Sequence, residues 1–443
     1  MTRAKTLVGC PALALALVIA GQSAGATAGV ASWHVDRSFG KRGVAVLAVR
    51  ESAPYPLPLG PGDAGSLLTD GPQGSVFVGG YARSERGSFL IARLSAQGRL
   101  VRGFGHGGVT TVPAIYSVPQ EPPRMLALSG GRLLIAGLDR TDHFVLVRLT
   151  AGGKADRSFG HDGVAAYRLP DSRGHAIIAA AALQPDGDIL AVTFQREVPE
   201  PLNEPQVPPG LGEGPIEFVR LLPSGALDRS FGDGGFLKAT GQPAVSSEEA
   251  AVGVTITPEG SVLFAYQQVA LPNFAGEPPA VQEFSPTGAT ASGFGDQGVA
   301  YMPFTPTFHG VSSAVFEGLF ALPGGGFEVS FGGGGQLFRY TATGTADSAF
   351  GAAGHTSAGP GVLDLAAAAD GETFALEESH RVTVGGTLSN GSPDPALGGR
   401  RGKQFAVSLP LQRPGEEEAA TGLLAGNAVV NVLIGEQLVR IVR

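Results

Sequence analysis

The side chains best suited to chemistry in this sequence are arginines, aspartates and histidines that recur at fixed spacing. Arg148 and Arg220 are each followed, eight residues later, by an aspartate, Asp156 and Asp228. A guanidinium could clamp an anionic substrate, but a substrate site would need that group in one place only. Recurrence of the arginine in several repeats instead favours a structural ion pair within each repeat.

Two further sets of residues could bind a metal. His106 and His161 occupy the same repeat position, but no third ligand accompanies them, which favours solvated turn residues. Asp186, Asp188 and Asp233 could bind calcium, yet they do not form a complete ladder of ligands of the EF-hand type, and turn formation explains them better. The sequence therefore predicts no metal site, no cofactor and no catalytic residue.

The N-terminus has the pattern of a secretory signal. Arg3 and Lys5 precede an apolar run over residues 7–20, and small residues follow it. A string typical of a nucleophile elbow, GQSAG at 21–25, falls inside this segment and carries no weight. The pattern predicts a signal peptide at 1–26, whose removal takes the only cysteine, Cys10, and leaves a secreted or extracytoplasmic domain at 27–443, with association with the cell envelope left open.

Composition excludes some classes of protein. The chain has 443 residues with 68 Gly and 33 Pro, which raises the question of disorder. Hydrophobic residues make up 43% and the formal net charge is −8, so the chain can bury enough apolar surface to fold. No basic cluster stands out along the sequence, which argues against nucleic acid as a partner. No later segment is apolar enough to span a membrane, and we expect a monomer.

A repeated corner motif organises the chain. The motif Asp-x-Ser-Phe-Gly-x-x-Gly recurs with variation, and Leu397 takes the place of Phe in a seventh copy. The six copies with the aromatic marker have Phe39, Phe104, Phe159, Phe231, Phe294 and Phe350. An arginine that ends an apolar run stands eleven residues before four of these markers, and an equivalent arginine lies in the last unit; these are Arg93, Arg148, Arg220, Arg339 and Arg440. Such self-similarity indicates a repeat architecture.

Each unit reads as four strands with a tight Gly-containing turn, followed by a Phe-Gly corner whose glycines turn the chain into the next blade. The units lie near 44–108, 109–163, 164–235, 236–298, 299–354, 355–402 and 403–443. In the last unit the sequence ends at Arg443, before the marker that would stand eleven residues after Arg440, while a marker segment stands alone at 33–43. The sequence therefore predicts an all-β, seven-bladed β-propeller of four-stranded antiparallel blades, in which residues 33–47 complete the last blade and close the ring.

The motifs also carry a resemblance. QPDGDILAV at 184–192, followed by a strand ending in Arg220 and by LDRSFGDGG at 227–235, resembles the delta-60 repeat family of bacterial extracytoplasmic propellers. The resemblance implies the fold and the location, whereas the family is largely without an assigned activity. This chain departs from the pattern where Glu283 replaces the repeated Arg, where Leu397 replaces Phe and where the sixth unit lacks an aligned Arg.

The longest variable connection occurs at 195–215, a smaller insertion lies at 269–279, and the connections at 50–65 and 113–123 are expected on the same face. In a meandering blade, the tight turns and corners share one face of the ring and the other connections share the opposite face, which we expect to be the binding face. The candidate binding residues are Arg196, Glu197, Glu200, Asn203, Glu204, Glu213, Asn273 and Phe274. Insertions of no functional consequence are the alternative, since loop length costs little stability.

These features favour a non-enzymatic binding scaffold for an envelope or extracellular protein or polysaccharide. The alternative is a secreted hydrolase or lyase that acts on a glycan at the central channel. Acidic residues from different blades would have to converge there, which one sequence cannot reveal.

Overall fold

The structure is a computed structural model, and it divides the chain by its contacts into Met1–Ala31 and Ser32–Arg443. The first unit lies outside the described residues. The described residues are 32–47, 54–55, 67–82, 88–116, 123–141, 143–168, 175–196, 216–238, 253–266, 269–270, 275–276, 278–303, 316–331, 335–358, 362–378, 382–397, 399–401, 404–409, 421–426, 428–434 and 437–443. Within these ranges, no helix is long and apolar enough to cross a membrane.

The described residues form β-strands joined by turns. The first strands are β1 His34–Val35, β2 Val44–Val46, β3 Pro54–Tyr55, β4 Leu68–Asp70, β5 Val76–Ala82, β6 Ser88–Leu94, β7 Val109–Tyr116, β8 Arg124–Ala127, β9 Leu133–Leu138, β10 Phe144–Leu149 and β11 Val164–Tyr167. The middle strands are β12 His175–Leu183, β13 Ile189–Arg196, β14 Ile216–Leu221, β15 Phe236–Lys238, β16 Gly253–Ile256, β17 Val262–Tyr266, β18 Val269–Ala270, β19 Ala275–Gly276, β20 Ala280–Phe284 and β21 Val299–Tyr301. The last strands are β22 Phe316–Ala321, β23 Phe327–Phe331, β24 Gln336–Tyr340, β25 His355–Ser357, β26 Val362–Ala367, β27 Thr373–Glu378, β28 Val382–Thr387, β29 Gly399–Arg401, β30 Gln404–Ser408, β31 Thr421–Gly426, β32 Val429–Ile434 and β33 Gln437–Val442.

These strands form a seven-bladed β-propeller of four-stranded antiparallel blades, as the sequence predicts. Blades 1 to 3 are β4–β7, β8–β11 and β12–β15, and blade 4 is β16, β17, β20 and β21. Blade 5 is β22–β25, blade 6 is β26, β27, β28 and β30, and blade 7 is β31–β33 with β1 and β2. The first strand of every blade contacts the first strand of the next, from β4 and β8 round to β31 and β4, so the ring is closed.

Adjacent blades are held together by buried strands whose side chains pack alternately against one neighbouring blade and the other. In β10, Val145 and Val147 pack into the cluster shared with blade 1, while Phe144 and Leu146 pack into the cluster shared with blade 3. Successive side chains of a strand point to opposite faces of its sheet, so a strand buried on both faces reads as a continuous apolar run. All six residues of β10 are buried, which is why FVLVRL shows no polar alternation.

The Phe-Gly corner fastens each blade to the next. Phe104 is fully buried, and the Gly105 N–H donates to the Gly152 carbonyl of blade 2 at 2.8 Å. A Cβ added at Gly153, where φ is +77°, would lie 2.8 Å from the Gly105 nitrogen and 3.0 Å from the Phe104 ring. Glycine at this turn therefore supplies both the left-handed backbone and the space for the neighbouring corner.

The position of the corner differs from the sequence interpretation. The corner lies between the third and fourth strands of one sheet, as between β10 and β11, rather than between two blades. Each sheet takes its outer strand from the beginning of the following sequence unit, so the units near 44–108 and onward are displaced by one strand from the blades. The physical reason is that the corner returns the chain to the edge of the same sheet before it crosses to the next.

The two ends of the chain close the ring within blade 7. β33 pairs antiparallel with β1, where His34 faces Val442, and with β2, where Val44 faces Val439. The outer strand of the last blade therefore comes from the N-terminal segment, as the sequence predicts. Without this joint, β33 would be the unpaired outer strand of the last blade.

Candidate functional site

The two faces of the ring carry different kinds of connection. Consecutive antiparallel strands run in opposite directions, so their connections alternate between the faces. We call the face that carries the first turns and the Phe-Gly corners, such as 129–131 and 150–163 in blade 2, the corner face. The opposite face, which carries connections such as 139–143 in blade 2, is the loop face.

The loop face is where both predicted insertions begin. Arg196 is the last residue of β13, and its backbone lies opposite His175 of β12. The remaining candidates of the first insertion lie outside the described residues: Glu197, Glu200, Asn203, Glu204 and Glu213. Asn273 and Phe274 also lie outside them, in the connection between the paired strands β18 and β19. The structure thus describes where these insertions start and end, and not their candidate binding side chains.

A buried carboxylate lies at the base of the first insertion. Glu217, the second residue of β14, is 1% exposed and lies across the sheet from Thr193 and Lys238. The Lys238 Nζ is 3.9 Å from the Glu217 Oε1. Glu217 could not be recognised from the sequence, because an acidic residue next to an insertion reads as part of the solvated loop. The strand register shows instead that it is buried.

The described loop of blade 2 forms a compact polar cluster at the loop face. The Asp139 carboxylate accepts hydrogen bonds from the Thr141 hydroxyl at 2.7 Å and from the His143 backbone N–H at 3.0 Å, and its other oxygen lies 3.1 Å from the His143 Nδ1. Burial acts to raise the pKa of Asp139, but these hydrogen bonds outweigh burial and the pKa is lowered. The cluster therefore holds an ionised carboxylate and folds the loop.

The repeated arginine of blade 2 joins two blades at the corner face. Arg148 donates from Nε to Asp156 at 2.8 Å and from one terminal nitrogen to Ser158 at 2.8 Å, and its guanidinium lies 4.8 Å from the centre of the Phe159 ring. Its other terminal nitrogen donates to the Pro223 carbonyl of blade 3 at 2.6 Å. All its donors serve the corner, so the predicted intrablade pair is present and extends to the next blade.

Blade 3 repeats this arrangement. Arg220 donates to Asp228 at 2.6 Å and to the Pro286 carbonyl of blade 4, and it lies 4.7 Å from the Phe231 ring centre. Burial acts to raise the pKa of Asp228, but hydrogen bonds from the corner serine and from Arg220 lower it below its usual value. Asp188 lies 3.7 Å from the Arg220 Nε, so this calcium candidate is part of the same ion pair.

Blades 5 and 7 give the arginine a different partner. Arg339 donates to Glu328 at 2.6 Å and 3.1 Å, and Glu328 is fully buried and also accepts from Thr373 of blade 6. Arg440 donates to Asn431 at 3.0 Å. Glu328 and Asn431 lie directly opposite their arginines on the neighbouring strand. The sequence feature that marks this different pairing is a polar residue at the position opposite the arginine, which is Phe or Leu in blades 1 to 3.

Blades 1 and 4 lack the corner aspartate. In blade 1 the Arg93 Nε donates to the Ser75 hydroxyl at 3.1 Å, and burial lowers the pKa of Arg93. In blade 4 Glu283 takes the arginine position. Burial raises the pKa of Glu283, a hydrogen bond with Ser261 lowers it, and the nearby charge of Glu259 raises it further. The exchange of Arg for Glu thus leaves blade 4 without the cation that blades 1, 2, 3, 5 and 7 carry at this position.

Blade 6 has no arginine at the repeat position, and Arg443 of blade 7 contacts its acidic side chains instead. Gly386 occupies the repeat position, and Asp394 follows it by eight residues. Arg443 of blade 7 donates to Glu372 at 2.8 Å and lies 3.5 Å from Asp394, while the Trp33 Nε1 donates to Asp394 at 3.0 Å. The two chain ends therefore supply the donors that a single arginine supplies in blades 2 and 3.

The remaining metal candidates are turn residues. His106 and His161 lie exposed on the corners of blades 1 and 2, and the Asp186 carboxylate accepts the Asp188 backbone N–H at 3.0 Å. Asp233 forms an isolated bridge with Phe236 within the corner of blade 3. Among the described residues, no group of three or more His, Cys, Asp or Glu is arranged to hold a metal ion.

The fold and these contacts define the class of protein: a closed seven-bladed β-propeller whose blades are fastened by repeated arginines. No family model and no curated protein matches the chain. Puromycin hydrolase is similar in fold, with 15% identity and a TM-score of 0.48, covering 87% of this chain and 53% of that one, so this chain spans about half its length. The polysaccharide lyase Uly1 is similar with 9% sequence identity and a TM-score of 0.48, and the match covers 86% of this chain and 90% of the lyase. An aldose sugar dehydrogenase from Streptomyces coelicolor, solved in its PQQ-bound form, is similar with 15% sequence identity and a TM-score of 0.39. The match covers 86% of this chain and 98% of the dehydrogenase. These similarities concern the fold alone.

Proposed function

We propose that the chain is a secreted, non-enzymatic binding scaffold of the cell envelope that presents loop-face connections to a protein or polysaccharide. The observation that carries the proposal is the attachment of the longest connection. Residues 197–215 connect Arg196, the last residue of β13, to Ile216, the first residue of β14. Below this connection the two strands are paired, from Phe194 opposite Ile216 onwards. Blade 3 is in turn fastened to both neighbours by arginines and corners. Binding residues are commonly placed on loops that a rigid framework holds.

The repeated polar residues support a scaffold in a second way. Arg148, Arg220, Arg339 and Arg440 each donate to a carbonyl of the following blade. A side chain whose donors are engaged in this way serves the joint between blades. The variable connections are therefore the part of the repeat that can change without loss of the ring.

The test compares the domain from residue 27 with two variants at the first insertion. In one, residues 197–215 are replaced by a short Gly-Ser linker, and in the other the same residues are scrambled. Each protein is passed over immobilised cell-wall polysaccharide and peptidoglycan from the producing organism. We expect the unmodified domain to be retained and both variants to elute early, with unchanged melting temperatures because the strand pair below remains.

Equal retention of all three proteins would overturn the assignment to this connection. The competing function, a hydrolase or lyase acting on a glycan at the central channel, predicts new reducing ends or unsaturated products when the same polymers are incubated with the domain. Appearance of such products would overturn the non-enzymatic part of the proposal.

A further inference from the structure

The corner face carries exposed basic residues on three neighbouring blades, a grouping that the linear sequence does not reveal. We call it the basic arc. It consists of Arg37, Lys41 and Arg42 in blade 7, Arg99 and Arg102 in blade 1, and Lys154 and Arg157 in blade 2. The three segments are about sixty residues apart in sequence, so no window of the chain contains the whole cluster.

Backbone hydrogen bonds bring the three segments together. The Gly40 N–H of blade 7 donates to the Gln97 carbonyl of blade 1 at 2.8 Å. The Gly105 N–H of blade 1 donates to the Gly152 carbonyl of blade 2 at 2.8 Å. Each of the four residues in these two bonds lies within three residues of an arc member in the sequence. The basic arc is therefore one surface that crosses two joints between blades.

The arc contrasts with the rest of the protein. The whole chain has a formal net charge of −8. The corner segments of blades 3 to 5, at 222–235, 285–298 and 341–354, carry one exposed base, Arg229, beside the exposed acids Asp233 and Asp296. Within the three arc segments, Asp162 is the one exposed acid of the described residues, and it lies 3.9 Å from the Arg157 Nε. The seven exposed bases thus outnumber the one exposed acid within these three segments.

The basic residues of the arc are not used by the fold in the way that the repeated arginines are. Arg148 and Arg440 are buried and donate across the blade joints. Apart from the exposed Arg157–Asp162 pair, whose side chains are 88% and 71% exposed, no side chain of the arc forms an ion pair with another described residue. An exposed pair of this kind contributes little to stability. The arc is therefore available to an external anion.

The chemistry of the arc selects the partner. Several solvated cations along a curved band attract a polymer with repeated negative charges, because the interactions add along its length. Leu100 is the one large apolar side chain exposed within the arc segments, so the surface offers neither an apolar wedge for a lipid bilayer nor an aromatic platform for nucleic-acid bases. We propose that the basic arc binds an anionic polysaccharide, held by its carboxylate, sulfate or phosphate groups.

The experiment uses polygalacturonate of defined length as the carboxylated probe and dextran as the uncharged control. One variant combines Arg37→Gln, Arg102→Gln and Arg157→Gln, which all lie two residues before a marker Phe. The control variant is Arg229→Gln, at the same repeat position in blade 3 outside the arc. Dissociation constants are measured by calorimetry at low salt and at physiological salt, with melting temperatures as a check on folding.

We expect the triple variant to bind polygalacturonate about tenfold more weakly, from three exposed ion pairs of ordinary strength. Arg229→Gln should bind as the unmodified protein does, dextran should not bind, and physiological salt should weaken binding strongly. Equal loss in both variants, or binding that is independent of salt, would overturn the inference. Tighter binding of anionic lipid vesicles or of duplex DNA would overturn the class of ligand. Replacement of 197–215 on the loop face leaves this surface intact, so the result does not depend on the proposed function.

Discussion

Arg443→Ala should destabilise the ring at the joint where the chain ends meet. The Arg443 guanidinium lies 2.8 Å from Glu372 and 3.5 Å from Asp394, and the three side chains are 25%, 11% and 3% exposed, respectively. The substitution leaves both carboxylates without their cation, although the Trp33 indole still donates to Asp394. It therefore removes from blade 6 the charge that Arg148 and Arg220 supply in blades 2 and 3.

The magnitude follows from the burial of the pair. Removing one partner of a fully buried ion pair costs about 3–5 kcal/mol, and partial exposure of Arg443 reduces this to roughly 2 kcal/mol. Unfolding entropy is about 2.1 cal/mol/K per residue, so for a domain of roughly 400 residues this loss lowers the melting temperature by roughly 2–3 °C. Urea unfolding at constant temperature measures the same loss directly.

The loss should depend on pH through Glu372. Burial raises the pKa of Glu372 above its usual value of 4.5, the Arg443 side chain lowers it, and the charges of Asp394 and Asp370 raise it again. Without Arg443 the folded-state pKa rises further. A carboxyl group whose pKa is higher in the folded state than in the unfolded state stabilises the fold below its unfolded-state pKa. This stabilisation is lost as the pH rises through its folded-state pKa. The difference between Arg443→Ala and the unmodified protein should therefore be largest at pH 7 and smaller near pH 4.5.

Two comparisons test this account. Adding Glu372→Gln to Arg443→Ala should recover part of the stability at pH 7, because it removes the unpaired charge. Arg157→Ala, at a side chain that is 88% exposed, should change stability by less than about 0.5 kcal/mol. Equal destabilisation by Arg443→Ala at both pH values, or no destabilisation at all, would refute the reasoning.

Three further changes test the ring, the exceptional blade and the corner. Deleting 33–47 removes the outer strand of blade 7, and we expect cooperative unfolding of the whole domain; a variant that melts like the unmodified protein would contradict ring closure. Glu283→Gln should raise the free energy of unfolding by roughly 0.5–1 kcal/mol at pH 7, because burial and the charge of Glu259 raise the pKa of Glu283. The gain in stability should vanish near pH 4, where the carboxyl group is protonated. A gain that persists at pH 4 would contradict this cause. Gly98→Ala should lower the free energy of unfolding by roughly 3 kcal/mol, since a Cβ there would lie 2.8 Å from the Gly40 nitrogen and 3.0 Å from the buried Phe39 ring. Gly107→Ala should lower it by about 1 kcal/mol, since φ is +65° at Gly107 but the space around it is open. Similar costs for the two glycines, measured by urea unfolding, would show that backbone strain alone decides.

The blade number and the ring closure could be predicted because they depend on a period. The markers Phe39 to Phe350 recur with their glycines, and a lone marker at one end matches a missing one at the other. Hydrophobic periodicity and turn residues are local properties that a sequence displays directly. The corner's position within a sheet was not visible in the same way, because the period alone does not show which strand begins a blade.

The contacts that depend on register or on distant segments could not be predicted. The choice of Glu328 or Asn431 as partner of the repeated arginine depends on which residue lies opposite it across the sheet. Trp33 and Arg443 reach Asp394 only because the ring closes at that joint. The basic arc likewise exists only once three corners meet. The candidate residues on the loop connections stay a prediction, since all but Arg196 lie outside the described residues and the Arg196 side chain is not described.

The pairing of β1 and β2 with β33 also sets an order of events during synthesis. The N-terminal strand has no partner until residues 437–442 have been made, about 400 residues later. At 5–20 residues per second, it waits roughly 20–80 s. During that time, blades 1 to 6 can form from neighbouring segments, while blade 7 lacks an edge and the segment at 33–47 has no partner strand. The synthesis of β33 ends this interval, because it gives the waiting segment its partner strand.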